Sequence, residues 1–383
     1  MKKLDAVTKM LDFIEGRIDE EHCGAVEQRH LDAISFKENA ELPLGFFYPP
    51  RKEEQIANTV AYADSESMLH NELVKSFGSV LNSVRVKDDF PLHIRSNHGV
   101  VLMHSVTGGQ YKLNEGENPW AAPLEYSLNE YRRRWENRPY DITGNELVRR
   151  VCDDYRYFAD RFSEYPKCRR NIRLSHPDMQ GPFSIAQSLF GEDFFYELYD
   201  NPEDVHWLLE RITGAYIELF SLLDSLVNNY TRDREAVYIH GGIYPGRALL
   251  KNDTATAMIS GEHYAEFCGP YDEKISRALG KVSIHYCGKS RPFHGRVINI
   301  PGLAGINLGN PEMQDMDSFL KDWNARKIST ICWGMNNGPE FLWSSLGNRK
   351  VTGFTLCCDV ENIERASELV KRYRETGLKA LAA

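Results

Sequence analysis

Through the second half of the chain one pattern recurs: a short apolar run ending in Gly, Cys or His, then a longer segment with helical spacing. The runs are "AVYIHGG", "KVSIHYCG", "LAGINLG", "ISTICWGM" and "GFTLCC". Between them lie "SGEHYAEFCGPYDEKISRALG", "DMDSFLKDWNA" and "GPEFLWSSLG". The segment "ENIERASELVKRYRETGLKAL" closes the series, with Ile363, Ala366, Val370 and Tyr373 at helical spacing. Strand-then-helix units in succession demand parallel strands with crossover helices, either in a closed (β/α)8 barrel or in an open doubly wound sheet. The open sheet expects a Gly-rich phosphate turn after its first strand, and the sequence has neither G-x-G-x-x-G nor a Walker loop. The expectation is an α/β chain with one (β/α)8 TIM barrel over residues 41–383 and a helical extension over residues 1–40, packed against the barrel's base.

Earlier strands are expected in "ELPLGFFYPP", "GVVLMHSVTG" and "DMQGPFSIA". A long helix is signalled by "NPEDVHWLLERITGAYIELFSLLDSLVNNY", with Asn201 as cap, Pro202 in the first turn, and Val205, Leu208, Leu209, Ile212, Tyr216 and Leu219 as its buried face. The formal charge of -9, with no block of clustered Lys and Arg, argues against nucleic acid as a partner. Eight cysteines in 383 residues, two of them adjacent at Cys357 and Cys358, are too sparse for a disulfide scaffold and suit reduced thiols in a cytosol. No apolar run is long enough to span a bilayer, so a soluble cytoplasmic protein is expected.

Within "KVSIHYCGK" the alternation of a strand puts His285 and Cys287 on one side, and Val282, Ile284 and Tyr286 on the other. The apolar trio suits a helix layer, which leaves the imidazole and the thiol facing the interior at the strand's C-terminal end, where Gly288 ends it. Nitrogen and sulfur at this spacing are a preferred donor pair for Zn2+. A third donor is available in "GFTLCCDV". The alternation favours Cys357, whereas a strand ending at Leu356 would present Cys358, and Cys332 in "STICWGM" is a further candidate.

Four stretches, in this order along the chain, resemble the uroporphyrinogen decarboxylase superfamily, and more closely its cobalamin-related methyltransferase branch: "QRHLDAISFK"; "HIRSNHG" ahead of "VVLMHS"; "YAEFCGPYDEKI"; and "IHYCGK" followed by "CCDVENIERA". The resemblance implies a barrel with its site at the strand C-termini and a zinc ion held by His-x-Cys and a distant Cys. That ion activates a thiol, which a corrinoid methylates. Carried over by position, the ligands are His285, Cys287 and, late in the chain, Cys358. The decarboxylase branch is expected to hold its many-carboxylate substrate with an Arg-rich motif after the first strand, where this chain has only Arg51 and Lys52 followed by two glutamates. A corrinoid-binding D-x-H-x-x-G signature is absent, since "DVHWLLE" has Glu in the place of Gly, so a corrinoid is expected to arrive on a partner protein.

The same resemblance makes Arg95 and Asn97 substrate-binding candidates and Asp253 a general base or ligand orienter. His240, at the end of its apolar run and followed by glycines, is a second catalytic candidate, and Gln180 is expected at the barrel mouth as a substrate contact. The sequence thus points to a zinc-dependent methyltransferase acting on a small molecule. A decarboxylase and a non-catalytic ligand-binding barrel are the alternatives. It leaves the oligomeric state open, with a homodimer among the options.

Overall fold

The computed structural model describes residues 3–47, 60–74, 80–112, 119–252, 258–289 and 294–382. Its strands, in chain order, are β1 (Leu44–Phe47), β2 (His93–Ile94), β3 (Gln110–Lys112), β4 (Trp120–Ala122), β5 (Arg173–Leu174), β6 (Ala236–Ile239), β7 (Gly242–Pro245), β8 (Ala248–Lys251), β9 (Val282–Tyr286), β10 (Leu303–Leu308), β11 (Ser329–Trp333) and β12 (Phe354–Asp359). Short apolar runs buried on both faces are the signature of parallel strands. Six of these strands form one sheet in the order β1-β12-β11-β10-β9-β8, and every neighbouring pair in it is parallel.

A second parallel pair, β2 with β5, lies beside it. At one edge of the sheet the Leu44 N–H donates to Asp89 Oδ2 at 3.0 Å and the Phe46 N–H to Asp88 Oδ2 at 2.8 Å, just before β2. At the other edge Gln180 bridges Lys251 in the parallel sense, and the Gly181 N–H donates to the Lys251 carbonyl at 2.8 Å. The segments that carry β2 and β5 therefore cover both edges of the six-stranded sheet.

Three expected strands are placed differently. "VVLMHS" is the helix Val101–Val106, and the strand is the short β2 before it. "GPFSIA" opens the helix Pro182–Phe190, with Pro182 in its first turn, and only Gln180 takes part in a bridge. "AVYIHGG" is β6, which turns back at Gly241 to pair antiparallel with β7, so the sheet takes β8 instead. Short apolar runs carry no period that separates a strand from a buried helix, and the hairpin is decided by a turn residue rather than by hydrophobicity. The long helix runs from Pro202 to Asp224 with the expected face buried, but the Asn201 side chain makes no capping bond.

Along the sheet, side chains alternate as the pleat requires, except at Cys332, where φ +54° and a register shift between β11 and β12 leave two successive residues in the inner cluster. Val282, Ile284, Tyr286, Leu356 and Cys358 join the main core beneath the helices, whereas Leu249, Ile331, Cys332 and Cys357 form an inner cluster with Val237, Ile239 and Tyr244 of the hairpin. The N-terminal helices are part of this body. Val7, Met10, Leu11 and Ile14 of the helix Lys3–Glu15 are buried in the main core. The helix Glu20–Ile34 lies across the strands' N-terminal ends, where Ser329 Oγ donates to the Ile34 carbonyl and Tyr238 Oη to Glu27 Oε2. Among the described residues no helix is long and apolar enough to cross a membrane.

Candidate functional site

At the C-terminal end of β9 the inner face presents His285 and then Cys287. Register places His285 beside Asn307 of β10 and Lys251 of β8. The Asn307 amide is oriented by its Nδ2–H, which donates to the Ile331 carbonyl at 2.8 Å, so its oxygen faces His285 and accepts from Nδ1 at 2.5 Å. The imidazole therefore carries its proton on Nδ1 and turns Nε2 toward Cys287 Sγ, 3.5 Å away. A ring held in this way can ligate a metal through Nε2 or take a proton from the adjoining thiol. Space beside the sulfur is tight, since a Cβ on Gly309 would come within 2.5 Å of Sγ.

His240 sits in the turn between β6 and β7 with φ +47°, a left-handed backbone that a non-glycine residue adopts at a cost of about 1–3 kcal/mol. Its ring lies 5.0 Å from that of His285, inclined at 68°. Burial, reinforced by the Lys251 charge and by the neighbouring His285 ring, holds His240 well below the usual imidazole range, with Asp178 opposing.

Around these rings lies an ionic group. Asp178 receives Lys251 Nζ at 2.7 Å and Arg95 at 3.0 Å. Burial would raise the Asp178 carboxyl, but the two cations and His240 hold it far below the ordinary carboxylate range. Arg95 is held protonated against burial by Asp178, Glu72 and Tyr155. Such buried pairs are weak contributors to net stability, because the charges must be stripped of water before they attract. Guanidinium and ammonium groups at strand ends are of the kind that could anchor a charged ligand. Next to them His93 donates from Nδ1 to the Pro91 carbonyl at 2.7 Å and accepts the Gly241 N–H on Nε2, and burial pushes it down to about 4.

The remaining expected residues are distributed as follows. Asn97 makes a local turn, its Oδ1 accepting from the Gly99 N–H at 3.2 Å. Gln180 is buried at the junction with β8. Asp253 lies outside the described residues. Cys357 faces the inner cluster and its thiol donates to the Cys332 carbonyl at 3.2 Å, whereas Cys358 lies with Phe46 and Leu356 on the helix-covered face. The charges that act on the Cys358 thiol belong to Asp359, Glu340, Asp88 and Arg365, none of them from the His285 side. Two corners of a zinc tetrahedron thus fit, at His285 and Cys287, and the late sulfur does not reach them. Among the described residues no group of three or more His, Cys, Asp or Glu side chains is arranged to hold a metal ion.

Asn307, Lys251 and Asp178 are the site residues that sequence reasoning missed. Asn307 and Lys251 had a signal, a polar residue at an inward position of an otherwise apolar strand, and Asp178 had none. Set against models of known protein families the chain matches none, and among curated proteins it has no match.

Proposed function

We propose that this chain is a (β/α)8-barrel methyltransferase of the uroporphyrinogen decarboxylase type, moving a methyl group between a corrinoid on a partner protein and a thiol or similar acceptor. The barrel half is supported by the parallel order of the six-stranded sheet and by the second parallel pair, β2 with β5, whose segments lie at its two edges. The chemical half rests on one observation: His285 and Cys287 meet at the strand ends with the imidazole oriented by Asn307. In this reading Asn307 fixes the ring, Cys287 and His285 supply the reacting centre, and Arg95 and Lys251 with Asp178 hold the charged part of the acceptor. Zinc is proposed on His285 and Cys287, the two donors that meet among the described residues.

Metal analysis and single-turnover assays test both halves. Zinc near one equivalent that is lost in His285→Ala and Cys287→Ala, with demethylation of methylcobalamin by 2-mercaptoethanol in the wild type, is the expected result. Zinc undiminished in both variants removes the metal site. Cys358→Ser is expected to keep its zinc, because that sulfur faces the helices. A carboxy-lyase is the second reading, favoured by the convergence of Arg95 and Lys251, which the sequence alone did not bring together. Carbon dioxide release from a polycarboxylate without methyl transfer would select it.

A further inference from the structure

Two stretches of the chain, residues 191–210 and 258–273, hold eleven Asp and Glu and no Lys or Arg, against a net charge of -9 for the whole protein. Outside them the chain is close to neutral. The fold brings the two stretches together. Tyr199 of the helix Phe194–Asp200 meets His263 of the helix Gly261–Phe267, their ring centres 4.9 Å apart and their planes at 87°. Beside them His206, in the first turns of the helix Pro202–Asp224, stacks on Phe267 at 4.9 Å and shares a hydrogen bond with Tyr271 Oη at 2.8 Å.

Part of this charge is spent internally. Asp204 pairs with Arg132, Glu210 with Lys274 and Glu273 with Arg277, and Asp272 is buried. Glu192, Asp193, Asp200, Glu203 and Glu262 are exposed and belong to no ion pair among the described residues, and Arg296 acts on Glu262 without pairing with it. In the middle of these carboxylates stand Tyr196 and Tyr199, 69% and 71% exposed, whereas Phe194 and Leu198 on the inner side of the same helix are buried. Residues three apart on a helix are neighbours, so the two rings form one surface. A single exposed ring is ordinary. Two adjoining rings framed by unpaired charge of one sign are a face with a defined chemistry.

What covers such a face follows from its sign. A second copy of this chain, related by a twofold axis, would set the same carboxylates against themselves. Nucleic acid and anionic lipid surfaces are repelled. An apolar partner would strip water from the carboxylates and return no counter-charge. Lys and Arg answer both features at once, the carboxylates by ion pairing and the tyrosine rings by cation–π contact. Tyrosines at the centre with charges around them also match the apolar core and polar rim of protein interfaces. We propose that the face formed by Tyr196, Tyr199 and the carboxylates around them docks a partner protein through a basic segment, with arginine or lysine side chains over the two rings. The proposal is independent of the methyl-transfer reading.

Fluorescence anisotropy of a labelled peptide of alternating arginine and glycine, titrated with the full chain at low salt, tests it, with a peptide of alternating glutamate and glycine as control. The arginine peptide is expected to bind and the glutamate peptide not to. Tyr196→Ala combined with Tyr199→Ala should weaken binding about fivefold or more, the loss of two exposed cation–π contacts. Asp200→Asn combined with Glu203→Gln should weaken it about threefold or more. Glu361→Gln combined with Glu375→Gln removes the same charge elsewhere on the surface and should leave affinity within about twofold, which separates this face from net charge. All the substituted side chains are exposed, so folding is not at stake. Sedimentation of the free protein should be the same for the wild type and the tyrosine variant. Absence of arginine-peptide binding, binding of the glutamate peptide, undiminished binding by the tyrosine variant, equal losses in the two carboxylate variants, or a wild-type dimer that the tyrosine variant dissolves would each overturn the proposal.

Discussion

The amide of Asn307 is read from both ends, by the Ile331 carbonyl on its nitrogen and by His285 Nδ1 on its oxygen, and neither contact survives a flip of the amide. One side chain thereby sets the tautomer of another, which is how ligating and general-base imidazoles are commonly prepared. Long-range proton–nitrogen spectra of the metal-free protein should show His285 protonated at Nδ1, and Asn307→Ala should turn that signal into a mixture of tautomers. An unchanged spectrum in the variant would mean that the orientation comes from elsewhere. A second residue-scale expectation concerns Asp88, whose carboxyl burial pushes up to about 7 against the N–H groups of Phe46 and Phe90 that favour its charge. The folded state then keeps a proton that an unfolded aspartate releases near pH 4. Protons bound in the folded state exceed those in the unfolded state between about pH 4 and 7, so this group's contribution to stability falls as pH rises through that window. Asp88→Asn removes the titration while losing one acceptor. Urea midpoints across the window should therefore show a constant penalty at low pH that shrinks toward neutrality, and a gap that stays level would exclude the proton.

At the scale of elements, the junction of β7 with β8 decides how the hairpin enters the sheet. Gly246 adopts φ +93°, and a Cβ there would stand 2.4 Å from the Lys281 carbonyl oxygen, which is backbone and has nowhere to go. The following Arg247 N–H donates to that same carbonyl at 2.8 Å and starts the pairing of β8 with β9. Gly246→Ala is expected to cost about 1–3 kcal/mol in backbone strain alone, with more from the clash, and denaturation midpoints would measure it. A loss under about 0.5 kcal/mol would mean that the junction relaxes freely. This turn also marks where sequence reasoning stopped. The alternation in "KVSIHYCG" made the inward pair legible, because a strand of regular pleat has only two sides. In "AVYIHGG" the same apolar signal was present, but the reversal between β6 and β7 runs through His240 at φ +47° and Gly241 at φ +79°, a turn geometry that hydrophobicity does not encode.

Over the whole molecule, the parallel architecture was legible from the order of its units, whereas the ionic group around Asp178 was not. Arg95, Asp178 and Lys251 come from three distant stretches, and only the sheet order makes them neighbours. The N-terminal helices belong to the same body and not to an appendage. Removing residues 1–40 would strip Val7, Met10, Leu11 and Ile14 from the core and Arg29 from its 2.5 Å pairing with buried Asp89. The shortened chain is expected to lose cooperative melting by circular dichroism, and a wild-type transition in it would separate the extension from the fold. The helix Glu20–Ile34 lies across the lower end of the strands, on the side opposite the rim where His285 sits. Under the proposed methyl transfer, donor and acceptor would use the same rim, and parallel lines in double-reciprocal plots are the expected result if the methyl group is held on the chain between their visits.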